Sequence, residues 1–139
     1  MPSANSQSRT PGLQSGQDKT PGTTRVNSAP QGPEQRFSND WFGPHESYWN
    51  EHLVGWGKAH GPANILEIGT YEGRSACWFL THVMEHPESR LTCVDSWQVR
   101  SDAENMEEVF ATFKGNIDAT GKAGRVTVRR GDSKAVLPT

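Results

Sequence analysis

The first 36 residues contain no aromatic side chain and almost no aliphatic one; Ser, Thr, Pro, Gly, Gln and Asn fill them instead. Such a segment cannot bury enough apolar surface to offset the entropy of ordering it, which predicts a disordered tail over 1–36. Nowhere does the chain hold a run of eighteen apolar residues, so no transmembrane helix is expected. The N-terminus has no apolar core of a secretory signal, and its Pro and Gly would spoil the amphipathic helix of a transit peptide. Cysteine is scarce: Cys77 and Cys93 both fall in apolar patterns, which excludes a disulfide framework and fits a reducing, cytoplasmic setting. Charge of one sign is scarce too. A net charge of −2, with only Arg125, Arg129 and Arg130 close together, argues against a nucleic-acid partner.

All twelve Trp, Tyr and Phe residues lie between Phe37 and Phe113, so order is expected to begin near Phe37. At 139 residues the chain has room for one small domain. Two echoes in the tail, RTPG at Arg9–Gly12 and KTPG at Lys19–Gly22, are too few to be a repeat architecture.

Periodicity gives the elements. Pro44 can open a helix, and Tyr48, Trp49, His52, Leu53 and Trp56 recur at helical spacing, predicting a leading helix over 44–57. Ile65–Ile68 reads as a buried strand. Beyond its glycine turn, Ala76, Phe79, Leu80 and Val83 make the inner face of a helix from about Ser75 to His86, stopped by Pro87. Leu91–Val94 is a second strand ending in Asp95. Ser101 and Glu104 have capping-box spacing before a helix whose stripe is Met106, Val109, Phe110, Phe113 and Ile117. Val126–Arg129 is a third strand. Near-continuous apolar strands joined by helices predict an α/β, Rossmann-like doubly wound parallel sheet with both faces covered and ligands at the carboxyl ends of the strands.

Those ends hold the chemistry. Gly69 and Gly73 let the backbone approach a ligand, and the following helix offers unpaired N–H groups to an anion. Glu67 is an acid at the end of an apolar strand, costly without a partner. The spacing is E-x-G-x-x-x-G-x-S, not the G-x-G-x-x-G of a dinucleotide site, which counts against a nicotinamide oxidoreductase. Asp95 is placed to accept from vicinal hydroxyls. Bland readings stand beside these: Ser75 as an N-cap, Trp97 as surface cover, Asp132 as a turn residue. His82 and His86 have i, i+4 spacing but no third ligand, so no metal site is assigned.

With LEIGTYEGRS, LTCVDSW and RVTVRRGDSKAVLP in order, the chain resembles the class I S-adenosylmethionine-dependent methyltransferases, and in particular small-molecule, catechol-type O-methyltransferases, over Ile65–Pro138. The resemblance implies S-adenosyl-L-methionine as cofactor and a small-molecule methyl acceptor. It implies that Glu67, Gly69, Thr70, Tyr71 and Gly73 line the methionine and ribose part, with Ser75 near the methionine carboxylate. It implies Asp95 on the ribose hydroxyls, Ser96 and Trp97 beside the adenosine, and Asp132 and Ser133 near the adenine amino group. Family members of this kind draw their acceptor site, and any divalent metal, from a fourth strand onward. Residues 37–139 are therefore expected to be the N-terminal part of a methyltransferase domain, a fragment that neither folds stably nor catalyses alone. A non-catalytic interaction module with a degenerate half-domain is the alternative. Neither the methyl acceptor nor the oligomeric state is legible.

Overall fold

The structure, a computed structural model, describes residues 34–98 and 105–137. Three strands, β1 (Asn64–Ile68), β2 (Arg90–Asp95) and β3 (Val126–Arg130), form one parallel sheet in the order β1-β2-β3. The expected α/β sheet is present, with each strand starting or ending one residue beyond its predicted bounds.

The leading helix runs without a break from a 3₁₀ turn (Gly43–His45), with Pro44 in its first positions, through α1 (Glu46–Trp49), a π-helical stretch (Asn50–Val54) and α2 (Gly55–Ala59). Trp49, Leu53 and Val54 pack on the core, while Tyr48 and Trp56 stay exposed. Gly57 is required by contact: a Cβ there would stand 2.4 Å from the Val83 carbonyl oxygen. α3 (Arg74–Trp78) follows β1 and continues as a π-helical stretch, Phe79–Val83. Its carbonyl end is served from a distance. Lys122 donates to the Leu80 carbonyl, and Arg125 donates to the carbonyls of Met84 and His86, so two cations meet the negative end of the helix.

α4 (Met106–Ala119) buries the predicted stripe of Met106, Val109, Phe113 and Ile117, with Phe110 half-buried. The predicted capping pair Ser101 and Glu104 lies outside the described residues; the N-cap is Asn105, whose side chain accepts from the Glu107 N–H at 3.2 Å. α5 (Ser133–Val136) is a single turn packed against β2.

Side chains alternate across the sheet. The register puts Ile65, Glu67, Leu91, Cys93 and Val126 on one face and Leu66, Ile68, Thr92 and Val94 on the other. Among the described residues only the first face carries the main helices and the core built on Leu80, Leu91, Cys93 and Phe113. The cause is topological. Successive strands are added in one direction, and right-handed crossovers then place both connecting helices on the same side. On the other face Leu66 and Ile68 remain 51% and 56% exposed. Among the described residues no helix is long and apolar enough to cross a membrane.

Candidate cofactor groove

β1, β2 and β3 all end on the same edge of the sheet, and each delivers a loop there. The loop after β1 opens at Gly69, whose φ of +83° is a left-handed value natural to glycine. Its N–H continues the sheet by donating to the Val94 carbonyl at 2.8 Å. A Cβ at Gly69 would meet nothing within 4 Å, so the space above this backbone is open. Gly73, at φ +79°, is different: a Cβ there would stand 2.7 Å from the Phe113 ring. Gly69 faces a vacant surface, whereas Gly73 lets α3 settle on α4.

Two non-glycine residues, Tyr71 at φ +52° and Trp97 at φ +42°, also hold left-handed backbone, a conformation that costs about 1–3 kcal/mol each when nothing else favours it. Asp95 supplies the compensation. Its carboxylate accepts from the Tyr71 N–H and the Trp97 N–H, one on each oxygen, both at 2.9 Å. The Trp97 indole then donates to the Tyr71 carbonyl at 3.0 Å, and the Arg130 guanidinium donates to the Trp97 carbonyl at 3.3 Å. One acid thereby fixes the loops after β1 and β2 against each other, with lone pairs on both oxygens still to spare.

Glu67 lies beneath the loop rather than in it. Ser75 Oγ donates to Glu67 Oε1, and the Cys93 thiol points at Oε2 from 3.8 Å. Burial raises its pKa above the usual carboxylate range, against the pull of those hydrogen bonds. Burial and the Glu67 charge together push the Cys77 and Cys93 thiols up to about 12, so both stay protonated and inert. Both are free and buried, as their sequence setting predicts.

Two cavities meet at Gly69. The larger, about 220 Å³, is bounded by Gly69, Thr70, Tyr71 and Ser75 on one side and by Phe37, Trp41, Phe42, His45 and Trp49 on the other. The smaller, about 110 Å³, lies between Gly69, Asp95 and Ser96 and the loop after β3, Gly131, Asp132 and Ser133. Of the predicted residues, Gly69, Thr70, Tyr71, Ser75, Asp95, Ser96, Asp132 and Ser133 line this bipartite groove. Glu67, Gly73 and Trp97 do not. Trp97, expected beside an adenosine or on the surface, is 1% exposed and packs its indole on Phe110 and Phe113 at 4.7 and 5.1 Å. Asp132 also caps α5, accepting from the Lys134 N–H at 2.8 Å.

Sequence reasoning missed the outer wall. Phe37, Trp41 and Phe42 precede the leading helix, and Glu72 and Arg74 flank Gly73; the one available signal was three aromatic residues within six positions, more than one helix face can use. The basic residues Arg125, Arg129 and Arg130 each bind groups of the chain itself. Among the described residues no group of three or more His, Cys, Asp or Glu is placed to hold a metal ion.

No curated protein matches the chain. A family model described as a methyltransferase domain matches residues 66–139, a little over half of the 139 residues and the span that contains all three loops of the groove. On that match, and on a parallel sheet whose loops converge at one edge, the chain belongs to the methyltransferase domain family and to the class I S-adenosyl-L-methionine-dependent methyltransferases.

Proposed function

We propose that the groove holds S-adenosyl-L-methionine across Gly69, with the adenosine in the smaller lobe and the methionine in the larger. The observation that carries this reading is the junction: two lobes meet over a glycine whose missing Cβ leaves open space. The molecule to be accommodated also has two ends, joined at a ribose. S-adenosyl-L-methionine supplies an electrophilic methyl group on its sulfonium.

The residues divide the task of binding. Asp95, already bonded to two loop N–H groups, accepts the ribose hydroxyls on its remaining lone pairs. Ser96, Asp132 and Ser133 face the adenine lobe. Thr70 and Tyr71 shape the floor of the methionine lobe, and Ser75, its hydroxyl held by Glu67, lies at the start of α3 on the side of the methionine carboxylate. Glu67 orients Ser75 and so acts one step removed from the ligand. The aromatic wall of Trp41, Phe42 and Trp49 keeps water from the sulfonium, and the acceptor is held in line with the methyl group by position rather than by covalent help.

For the acceptor we propose oxygen in a small molecule, on the resemblance of the three motifs to small-molecule O-methyltransferases. Among the described residues the outer edge of β1 is unpaired, and Leu66 and Ile68 stand exposed on the adjoining sheet face. An unpaired strand edge is a template for a further strand, and an apolar face calls for a covering layer. Residues 37–139 are proposed as the cofactor-binding part of the domain, with the acceptor side, including any divalent metal, completed by polypeptide that pairs there. A cytoplasmic location is proposed on the two free thiols.

Isothermal titration of the chain with S-adenosylhomocysteine and, separately, with NAD tests the reading. Saturable one-site binding of the first and none of the second is expected. NAD binding alone would replace the methyltransferase cofactor with a nicotinamide one.

A further inference from the structure

The outer wall of the larger lobe is a strap, residues 36–42, that has no regular secondary structure of its own. Such a segment would ordinarily drift from the surface, because it lacks a ladder of backbone hydrogen bonds. Here its main chain is gripped by two buried side chains. Asn116 on α4, 2% exposed, accepts from the Arg36 N–H at 2.7 Å and donates to the Arg36 carbonyl at 2.7 Å. Its second amide hydrogen goes to the Glu72 carbonyl at 2.9 Å, so one side chain ties strap, glycine loop and α4 together. Glu72, 7% exposed, accepts from the Ser38 N–H at 2.6 Å. Side-chain contacts add to the grip: Arg74 pairs with Asp40 at 3.3 Å and stands 5.3 Å over the Phe37 ring, and Trp41 lies 5.0 Å from Tyr71.

Asn116 is outside both lobes, and Glu72, which borders the larger one, spends one carboxylate oxygen on a main-chain N–H of the strap. The partners of both side chains lie in the strap and the glycine loop, none of them in a strand. Both bear on one thing, where the strap sits over the loop that carries Gly69, Tyr71 and Ser75. The geometry points to Asn116 and Glu72 as positioning residues for the methionine lobe: by clamping the backbone of Arg36 and Ser38 they hold the aromatic wall at the distance that the methionine end of the cofactor requires. This rests on the reading of the groove as a cofactor site. The adenosine lobe touches no strap residue, so the clamp acts on one end of the ligand and not on the other.

That asymmetry supplies the test. In the full chain, Asn116→Ala and Glu72→Ala are compared with the parent by amide hydrogen exchange without ligand and by titration with S-adenosylhomocysteine and with adenosine alone. Faster exchange confined to 36–42, a loss of S-adenosylhomocysteine affinity of about tenfold and adenosine affinity within about twofold of the parent are expected, each tenfold being 1.4 kcal/mol. Glu72→Ala, on a loop, keeps the test open where Asn116→Ala disturbs α4. Equal losses for both ligands, or exchange that rises equally in β2, mark a general destabilisation and overturn the positioning role. So does faster exchange in the strap with S-adenosylhomocysteine binding unchanged. A parent chain that binds neither ligand refutes the groove reading itself, and the positioning role with it, whatever the exchange shows.

Discussion

The two lobes of the groove share Gly69 and little else. The smaller is assembled by the sheet: Asp95 ends β2, the loop from Gly131 to Ser133 ends β3, and the Gly131 N–H is tied to the Asp95 carbonyl at 2.9 Å. Its shape follows from strand register, among the least deformable features of a fold. The larger is assembled by side chains reaching across long stretches of sequence, with Asn116 and Arg36 eighty positions apart. The first lobe is fixed when the sheet forms, whereas the second exists only while the strap is docked. Substitutions should therefore sort by lobe, and the sorting can be broken or sharpened experimentally.

The largest effect is expected where the lobes join. Gly69→Val adds a β-branched side chain in left-handed backbone, at a cost of about 1–3 kcal/mol, and fills the open space between the lobes. Binding of both S-adenosylhomocysteine and adenosine should vanish in calorimetry while the circular dichroism spectrum is retained. If either ligand still bound, the lobes would not meet there.

Asp95→Ala comes next. It orphans the Tyr71 and Trp97 N–H groups and removes the acceptor assigned to the ribose. A stability loss of about 1–3 kcal/mol, read by urea unfolding, is expected. Affinity for both ligands should fall about a hundredfold, equivalent to about 2.7 kcal/mol.

Gly73→Ala probes packing and left-handed backbone strain together, outside both lobes. The added methyl, 2.7 Å from Phe113, should cost about 1–3 kcal/mol. That corresponds to a fall in Tm of several degrees for a domain near a hundred residues. Any effect on binding should be equal in the two lobes.

Ser75→Ala should act on one lobe, lowering S-adenosylhomocysteine affinity about tenfold, or 1.4 kcal/mol, with adenosine unchanged. A matching loss for adenosine would erase the distinction.

The smallest effect concerns Glu67. Its folded pKa is raised, so in the window from the ordinary carboxylate value up to that raised value the folded state binds the extra proton. Stability therefore falls as pH rises through the window. Glu67→Gln lacks this penalty. The Tm difference, variant minus parent, should increase from pH 4 to pH 7, and a flat difference would mean that Glu67 is ionised as easily folded as unfolded.

The sequence made local periodicity legible and long-range contact illegible. Met106, Val109, Phe113 and Ile117 could be placed on one buried face because helical spacing alone sets which residues share a side. Asp95 could be placed on the loop edge of the sheet because it ends an apolar strand, and in a parallel sheet those ends share one edge. The direction of the Trp97 side chain could not, since it depends on Phe110, Phe113 and a hydrogen bond to Tyr71, none of them local. Ile65, Leu66 and Ile68 read as a strand covered on both faces, but the order in which strands join decides coverage, and Leu66 and Ile68 stand exposed. The strap was invisible for the same reason: nothing near Arg36 indicates Asn116.

The most direct test of the bipartite groove is a backbone-amide NMR titration of the chain with S-adenosylhomocysteine. Shifts are expected at Gly69–Tyr71, Ser75, Ser96 and Gly131–Ser133, with further shifts in the strap at 36–42, and none at Lys122–Arg125 on the opposite end of the sheet. Shifts confined to one lobe, or scattered over the exposed face around Leu66, would contradict the bipartite groove.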